Sequence, residues 1–335
     1  MRAFVVEQPG PLRSHPLVAR EWPLPEPGTG QLRVRVHVCA VCRTDLHVAE
    51  GELPARVPGG IAPGHQAVGV VEAVGPEVDA TWIGRRVGVA WLHGTCGRCH
   101  QCQRGRENLC ELATFTGYTV QGGFAECLLA RADFVYPLPS ELSDRDAAPL
   151  LCAGIIGHRA LSHAGLSDFR GARLGIYGFG AAGHIALQIA RHRGAELFVA
   201  TREPSHREFA RQLGAVWAGP VGEAPPVPLD AALMFAPAGE LVPLALSHLD
   251  RGARLVLGGI HMSDLPTMPY SLLYGERCVL TVANNTRADG HAFLAEAAQA
   301  KVRVHSELFP LSAVNEALQA VKESRVNGAA VLDNT

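Results

Sequence analysis

The strongest constraint on the fold is a glycine-rich turn that joins a short apolar strand to an apolar helix. The strand Leu174–Tyr177 runs into Gly178, Gly180 and Gly183, in the spacing G-x-G-x-x-G, and Ile185–Ala190 continues as a helix. This setting is typical of a parallel strand followed by its crossover helix. Further short strands alternate with helix-length apolar periods, so the second half of the chain predicts a doubly wound parallel sheet.

The same turn predicts a dinucleotide-binding site. Gly178 permits the tight turn, Gly180 lets the backbone approach a pyrophosphate, and Gly183 allows the helix to pack closely on the strand. The helix N-terminus adds partial positive charge. The alternative is a purely structural glycine turn in an unrelated α/β domain.

The end of the next strand bears on the choice of cofactor. An NAD-binding strand usually ends in an acidic residue that binds the ribose 2′-hydroxyl, but this strand ends in Thr201 and Arg202. Because arginine gives charge-assisted bonds to phosphate, we expect NADP(H) to be favoured and NAD(H) also to be accepted. His206 and Arg207 lie a turn later. The alternatives are a solvated basic helix start, or ribose binding by Glu203.

The first 150 residues have a different pattern. Valine-rich alternating runs such as Leu32–Val38 are separated by Gly/Pro clusters, which predicts a mostly β domain. A chain of 335 residues exceeds what one core usually supports, so two domains are expected. After about residue 280, helical segments and the strand Ala329–Leu332 are compatible with either domain.

Four of the nine cysteines are clustered. Cys96, Cys99, Cys102 and Cys110 are the ligand set of a closed structural zinc site, which leaves no position open for catalysis. The opening residues do not form a signal peptide, so we expect a reducing cytoplasmic location, where metal ligation is favoured over disulfides. The alternatives are an iron–sulfur cluster or chance clustering of free thiols.

Three further candidate ligands, Cys42, His65 and Cys152, are dispersed along the chain. Their spacing alone does not connect them. Each one taken singly is better explained as a packed core cysteine or a buried histidine with its hydrogen bonds satisfied.

Taken together, these motifs resemble the zinc-dependent medium-chain alcohol dehydrogenases over essentially the whole chain. The resemblance implies a catalytic zinc held by Cys42, His65 and Cys152, with a fourth position left for water or substrate. It also implies a structural zinc at the four-cysteine cluster, so two Zn²⁺ per chain are expected. The implied reaction is reversible hydride transfer between a primary or secondary alcohol and NAD(P), in which zinc lowers the pKa of a bound alcohol.

The resemblance also implies the architecture. A GroES-like β-rich catalytic domain, residues 1–152 and 280–335, is interrupted by a Rossmann dinucleotide-binding domain, residues 153–279. Members of the family associate as dimers or tetramers, and chains of this length usually form tetramers. We therefore expect a homo-oligomer.

The residues after the first cysteine ligand match further positions of the family. Thr44 and His47 resemble its proton relay, Asp45 resembles the carboxylate that orients the His65 ligand, and Arg43 resembles a contact to the cofactor pyrophosphate. The alternatives are helix caps at Thr44 and Asp45, a surface histidine at His47 and a solvated Arg43.

Two positions depart from the family pattern. Gln66 follows the histidine ligand where the family usually has glutamate, which removes one negative charge beside the metal. Ala329 stands where many members have an arginine that contacts the pyrophosphate. Cofactor binding is then expected to rely more on Arg43 and Arg202.

Charge and hydropathy limit the function classes. The net charge of −2 gives no strong attraction to nucleic acid or to an anionic membrane, and no apolar stretch is long enough to span a bilayer. We therefore expect a small-molecule alcohol, aldehyde or ketone as partner. A polyol, cinnamyl-type or aldehyde reductase on the same scaffold is the main alternative. A quinone reductase-like relative without catalytic zinc and a zinc-knuckle-like nucleic-acid module are more remote ones.

Overall fold

The computed structural model describes residues 1–53 and 57–334, and the chain divides into two compact units. The first unit comprises Met1–Cys152, Thr286–Ala298 and Arg303–Thr335, and the second comprises Ala153–Asn285 and Gln299–Val302. Across the described part of the chain, no helix has the length and apolar character that crossing a membrane requires.

The elements are numbered in chain order. The strands are β1 (Arg2–Val6), β2 (Leu17–Glu21), β3 (Gln31–Val41), β4 (Ala67–Val74), β5 (Arg86–Val89), β6 (Leu92–Gly94), β7 (Thr114–Phe115), β8 (Cys127–Arg131), β9 (Val135–Pro137), β10 (Arg173–Tyr177), β11 (Glu196–Ala200), β12 (Trp217–Gly219), β13 (Leu229–Met234), β14 (Leu249–Leu257), β15 (Cys278–Thr281), β16 (Ser306–Pro310) and β17 (Ala329–Asp333). The α-helices are α1 (Arg43–Glu50), α2 (His100–Gln103), α3 (Asp144–Pro149), α4 (Ile155–His163), α5 (Ala181–His192), α6 (Pro204–Gln212), α7 (Leu241–Ser247), α8 (Arg287–Gln299) and α9 (Val314–Lys322).

The first unit is built on a seven-stranded, mainly antiparallel sheet. Its strands lie in the order β16-β17-β3-β4-β5-β9, and β8 also pairs with β3. The long strand β3 alternates buried and more exposed residues over its first half, because one face of the strand packs on the core. The returning strand β17 pairs antiparallel with β3 and parallel with β16, so late and early parts of the chain share one sheet.

The second unit contains a six-stranded parallel sheet in the order β12-β11-β10-β13-β14-β15. The order reverses between β10 and β13, the switch point at which such sheets bind ligands beyond the carboxyl ends of their strands. The central strand β13 is buried along almost its whole length, as expected for a strand covered on both faces. This sheet confirms the predicted doubly wound architecture.

The predicted end of the dinucleotide-binding domain, residue 279, falls within strand β15. Strand β15, Cys278–Thr281, pairs with β14 in parallel register, and the second unit extends to Asn285. A boundary at 279 would cut this strand. A strand of four residues carries too little periodicity to be located from sequence.

Candidate metal centre and cofactor turn

Three potential metal ligands meet within the first unit. Cys42 directly follows β3 and caps the N-terminus of α1, His65 lies just before β4, and Cys152 lies in a π-helical turn, Leu150–Gly154, that follows α3. The three ligand atoms all lie within 4.8 Å of one another. The Sγ atoms of Cys42 and Cys152 are 4.0 Å apart, close to the roughly 3.8 Å that tetrahedral zinc with 2.3 Å zinc–sulfur bonds requires.

The imidazole of His65 is oriented for ligation. The ring is fully buried, and its Nδ1 lies 3.0 Å from Oδ1 of Asp45. If Nδ1 carries the hydrogen and donates it to this carboxylate, Nε2 presents a lone pair. Nε2 is buried and has no hydrogen-bond partner among the described residues. Buried polar atoms rarely lack a partner, and a carboxylate behind a ligating histidine is a common arrangement, so this site fits a metal ion.

Asp45 has a second role in the same local structure. Its Oδ2 accepts a hydrogen bond of 2.8 Å from the backbone N–H of Cys42, and its Oδ1 accepts one of 3.0 Å from Gly64. The first bond closes a capping box at the start of α1. One carboxylate therefore caps α1 and also contacts the His65 ring.

The three candidate ligands shift one another's pKa. The hydrogen bond from Cys152 and the neighbouring His65 lower the pKa of Cys42 well below its usual value, whereas the contact with Cys42, together with burial, raises the pKa of Cys152. Burial would lower the pKa of His65, but Asp45 and Cys42 together raise it to about 10. A divalent cation that binds such a set displaces these protons.

The clustered cysteines form a second potential site. The Sγ atoms of Cys96, Cys99, Cys102 and Cys110 lie within 4.8 Å of one another. Backbone N–H groups point at the sulfurs: Cys99 N lies 3.3 Å from Cys96 Sγ, and Cys96 N lies 3.5 Å from Cys110 Sγ. Hydrogen bonds from backbone amides lower the pKa of Cys96 to about 6, which favours a thiolate.

The glycine turn leaves open space at one position only. A methyl group at Gly178, where φ is +90°, would lie 2.7 Å from the Ala236 nitrogen, and one at Gly183 would lie 2.6 Å from the Gly178 oxygen. Close backbone approach therefore requires both glycines. A methyl group at Gly180 would meet no described atom within 4 Å. Gly180 is exposed at the N-terminus of α5, where a pyrophosphate can approach the helix.

The end of β11 contains no acidic side chain. Thr201 is buried and its N–H donates to the Gly219 oxygen at 3.1 Å, whereas Arg202 is exposed. Nη1 of Arg207 donates to the carbonyl oxygens of Thr201 and Arg202, at 3.0 and 2.7 Å. Arg207 therefore braces this turn. Glu203 is exposed and caps α6 without a side-chain hydrogen bond.

Comparison with known proteins identifies the family. Residues 28–140 match the model of the alcohol dehydrogenase GroES-like domain. The chain is 47% identical to the probable alcohol dehydrogenase AdhA of Mycobacterium tuberculosis, over 99% of this chain and 97% of that protein. The chain belongs to the zinc-dependent medium-chain alcohol dehydrogenase family. It is accordingly an NAD(P)-dependent oxidoreductase.

Solved structures of other alcohol dehydrogenases share the fold. A cinnamyl alcohol dehydrogenase of Sorghum bicolor superposes with a TM-score of 0.89 at 28% identity, covering 99% of this chain and 97% of that chain. A thermostable alcohol dehydrogenase of Pyrobaculum aerophilum, solved with cobalt and zinc bound, gives a TM-score of 0.89 at 27% identity and covers 99% of each chain.

The positions at which this alcohol dehydrogenase departs from the family pattern are well packed. Gln66 is buried, and its Nε2 donates to the Ala40 oxygen at 3.3 Å. Ala329 is buried in β17. Arg43, the first residue of α1, is exposed. Gln66 therefore contributes a neutral backbone contact rather than a charge.

The candidate relay residues lie on α1. Thr44 is buried, and its hydroxyl oxygen lies 3.7 Å from the Cys42 sulfur. His47 contacts the carboxylate of Glu52 through Nδ1. Glu52 belongs to no sequence motif, so its contact with His47 could not be predicted from the sequence. Its position five residues after His47 was the only available signal.

Proposed function

We propose that this alcohol dehydrogenase holds two zinc ions per chain, a catalytic one at Cys42, His65 and Cys152 and a structural one at the four-cysteine cluster. The observation that carries the proposal is the fully buried His65 ring, whose Nε2 has no partner among the described residues and lies beside two sulfurs. The catalytic ion, when bound, polarises the oxygen of the alcohol or carbonyl substrate.

The residues around this site orient the His65 ligand and carry away the proton of the alcohol. Asp45 fixes the His65 ring so that Nε2 presents its lone pair. Thr44 and His47 lie three residues apart, on one side of α1. We propose that Thr44 takes the proton of the alcohol while its own hydroxyl proton moves on towards His47, and that His47, which receives one proton, releases one to solvent beside Glu52. Glu52 is 57% exposed, which supports an exit at this end.

We propose that NADP(H) is the preferred cofactor and that NAD(H) is accepted. Support comes from Thr201 and the exposed Arg202, which follow the C-terminal end of β11; that end has no carboxylate to repel a 2′-phosphate, and Arg202 offers it a cationic partner. The open space at Gly180 supports pyrophosphate binding at the same edge of the parallel sheet, where the carboxyl ends of its strands lie. The nicotinamide of the bound cofactor accepts or supplies the hydride.

We propose a primary or secondary alcohol as substrate, and a cinnamyl-type reductase as the second candidate. The second candidate is favoured by an aromatic stack beside the metal site. The Trp91 ring stacks on Phe115 and Tyr118, with centroids 5.0 and 6.0 Å away, and contacts the His65 ring edge-on at 5.0 Å. The similarity to the Sorghum bicolor enzyme agrees with this candidate. Turnover with cinnamyl alcohol and with short aliphatic alcohols separates the two.

We also propose that the protein is a homo-oligomer, a dimer or a tetramer. Strand β15 is an edge of the parallel sheet, and the large apolar side chains Ile260, Tyr270 and Tyr274 of the same unit are 56%, 75% and 72% exposed. Exposed edges and large apolar side chains are commonly covered by a partner. Light scattering gives the number of chains directly.

Substitution of one catalytic ligand tests the metal assignment. Metal analysis of the wild-type protein should give two zinc ions per chain. Cys42→Ser should retain one and lose turnover while keeping a cooperative melting transition, because only the open site is damaged. Cys99→Ser is the matched control: it should lower the melting temperature, since a closed site organises its loop. Near wild-type turnover in Cys42→Ser would contradict the assignment.

A further inference from the structure

The third ligand of the catalytic set depends on an irregular turn of helix. Cys152 lies in the π-helical turn Leu150–Gly154, which follows directly on α3 and its last residue, Pro149. Proline has no amide hydrogen, and its ring clashes with the carbonyl four residues earlier, here that of Arg145. The regular bonding pattern is therefore interrupted at Pro149, and a wider turn follows.

The direction of the Cys152 side chain follows from this widening. Successive residues of an α-helix are rotated by about 100°, so an extra residue in one turn re-aims all that follow. In the observed geometry the Cys152 sulfur reaches to 4.0 Å from that of Cys42. The position of Cys152 is thus set by the contacts that anchor α3 and by the residue at which the α-helical hydrogen bonds of α3 stop.

The first residue of α3 is anchored to two strands at once. The carboxylate of Asp144 contacts Nδ1 of His37 through Oδ2, at 2.8 Å, and accepts a bond from Nε of Arg86 through Oδ1, at 2.5 Å. Arg86 also donates to the carbonyl oxygens of Pro139 and Leu142, which precede the helix. All three side chains of the bridge are only 27–30% exposed.

The two strands that Asp144 contacts are connected to the other two candidate ligands. His37 lies on β3, and β3 ends immediately before Cys42. Arg86 begins β5 and pairs with Val70 of β4, and β4 begins two residues after His65. Through Asp144, the helix that leads into the turn of Cys152 is therefore tied to β3, which ends just before Cys42, and to β5, which pairs with the strand that follows His65.

Close packing limits any compensating shift of this helix. Leu150 and Leu151 are fully buried, and a methyl group at Gly88 would lie 2.5 Å from Cδ2 of Leu151. The next two residues of α3 are held as well. Arg145 donates to the Ser306 hydroxyl at 2.6 Å, and Asp146 accepts from Val304 N at 3.1 Å. If the contacts of Asp144 are lost, α3 is still held by Arg145 and Asp146, but its first residue can move.

We propose that Asp144 is a positioning residue of the catalytic metal site, which it controls through the direction of Cys152 without touching the metal. The inference rests on the proposed zinc ligation by Cys42, His65 and Cys152. It predicts selective weakening of that site, because the four-cysteine cluster has no ligand on α3 or on its turn. A general stabilising role predicts no such selectivity.

The test compares zinc loss from the purified holoenzyme and from Asp144→Asn, which keeps the size of the side chain and removes its charge. Each protein is exposed to a chelator, the zinc released is followed with a colorimetric indicator, and the cysteines that become open to alkylation are mapped by mass spectrometry. We expect one zinc of Asp144→Asn to leave roughly tenfold faster than in the wild type, together with alkylation of Cys42 and Cys152. Asp168→Asn, which breaks an exposed ion pair with Arg170, is the matched control and should behave as wild type.

The outcomes are distinct. Wild-type rates in Asp144→Asn, or equal acceleration at both sites, would overturn the positioning role. Cobalt-substituted protein gives a second readout, since altered cysteine geometry should change the thiolate-to-cobalt absorption band. If Asp144→Asn does not fold, His37→Gln removes half of the bridge and carries the same expectation. A wild-type protein with fewer than two zinc ions would instead contradict the proposed ligation, before any substitution is made.

Discussion

At the scale of single residues, the carboxylate of Asp45 both caps a helix and contacts the ring of a candidate metal ligand. It accepts backbone hydrogen bonds from Cys42 and Gly64 while it holds the His65 ring. Its bond to the Cys42 N–H closes the capping box of α1, so the carboxylate that stabilises the helix start also contacts two candidate ligands. Capping and ligand orientation are therefore not competing interpretations of this residue.

Arg202 allows a residue-scale prediction about the cofactor. A charge-assisted contact to the 2′-phosphate is made only with NADPH, so Arg202→Ala should lower kcat/KM with NADPH by roughly ten- to a hundredfold and change little with NADH. Arg207→Gln is the comparison, because loss of its bonds to the turn should affect both cofactors. Steady-state kinetics give kcat/KM of each variant with NADPH and with NADH, and the two losses are compared. Equal losses in Arg202→Ala would assign that residue to the fold.

The sequence could identify residues whose neighbours are local and could not identify those joined by tertiary pairing. The turn from Gly178 to Gly183 and the four-cysteine cluster were visible because short spacings carry them. Cys42 and Cys152 are 110 residues apart and meet only through the packing of β3 and α3. Resemblance to a family connected them; spacing did not. Asp144 and Glu52 belong to no motif, so their contacts with His37 and His47 required the structure.

At the scale of elements, adjacent parallel strands are joined by a charged pair at their N-terminal ends. Arg173 at the start of β10 donates to Asp230 of β13 through Nε at 3.0 Å and Nη2 at 2.5 Å, and its backbone N–H donates at 2.7 Å. These hydrogen bonds from Arg173 hold the pKa of Asp230 below its usual value. The interaction fixes the register of two strands that flank the switch point.

This pair gives a prediction with a defined pH dependence. A depressed pKa in the folded state stabilises the fold above the unfolded-state pKa, about 3.9, and this contribution is lost as pH falls through the folded-state value. Asp230→Asn should therefore lower the free energy of unfolding by about 1–2 kcal/mol from pH 8 to 5, with the difference shrinking below about pH 4. Urea denaturation across this range measures it. Asp250→Asn, half-exposed and 3.4 Å from Arg173, should cost less. A penalty that does not shrink in acid would contradict the pairing.

At the scale of the whole molecule, each unit has its own apolar core. The core of the first unit includes Leu32, Phe124 and Val314, and that of the second includes Met234 and Leu255. Both candidate metal sites lie in the first unit, and the glycine turn lies in the second. Binding stabilises the unit that holds the ligand.

Differential scanning calorimetry can therefore separate the two units. Removal of zinc by a chelator should lower the melting temperature of one transition, because zinc ligation stabilises the first unit. NADPH at about a hundred times its Kd should stabilise the second unit by about 2.7 kcal/mol and raise the melting temperature of the other transition. The control is the untreated holoenzyme scanned at the same rate. If both treatments move a single common transition, the units do not unfold independently.

The return of β17 to the first sheet, where it lies between β16 and β3, has a consequence for synthesis on the ribosome. The second unit is almost continuous in sequence and can fold as it emerges, whereas β3 pairs with β17, which is translated only after that unit is complete. Until then the Val38–Val41 part of β3 lacks its β17 partner and presents unpaired N–H and C=O groups to other nascent chains. The unit whose translation begins first is thus the last to be completed.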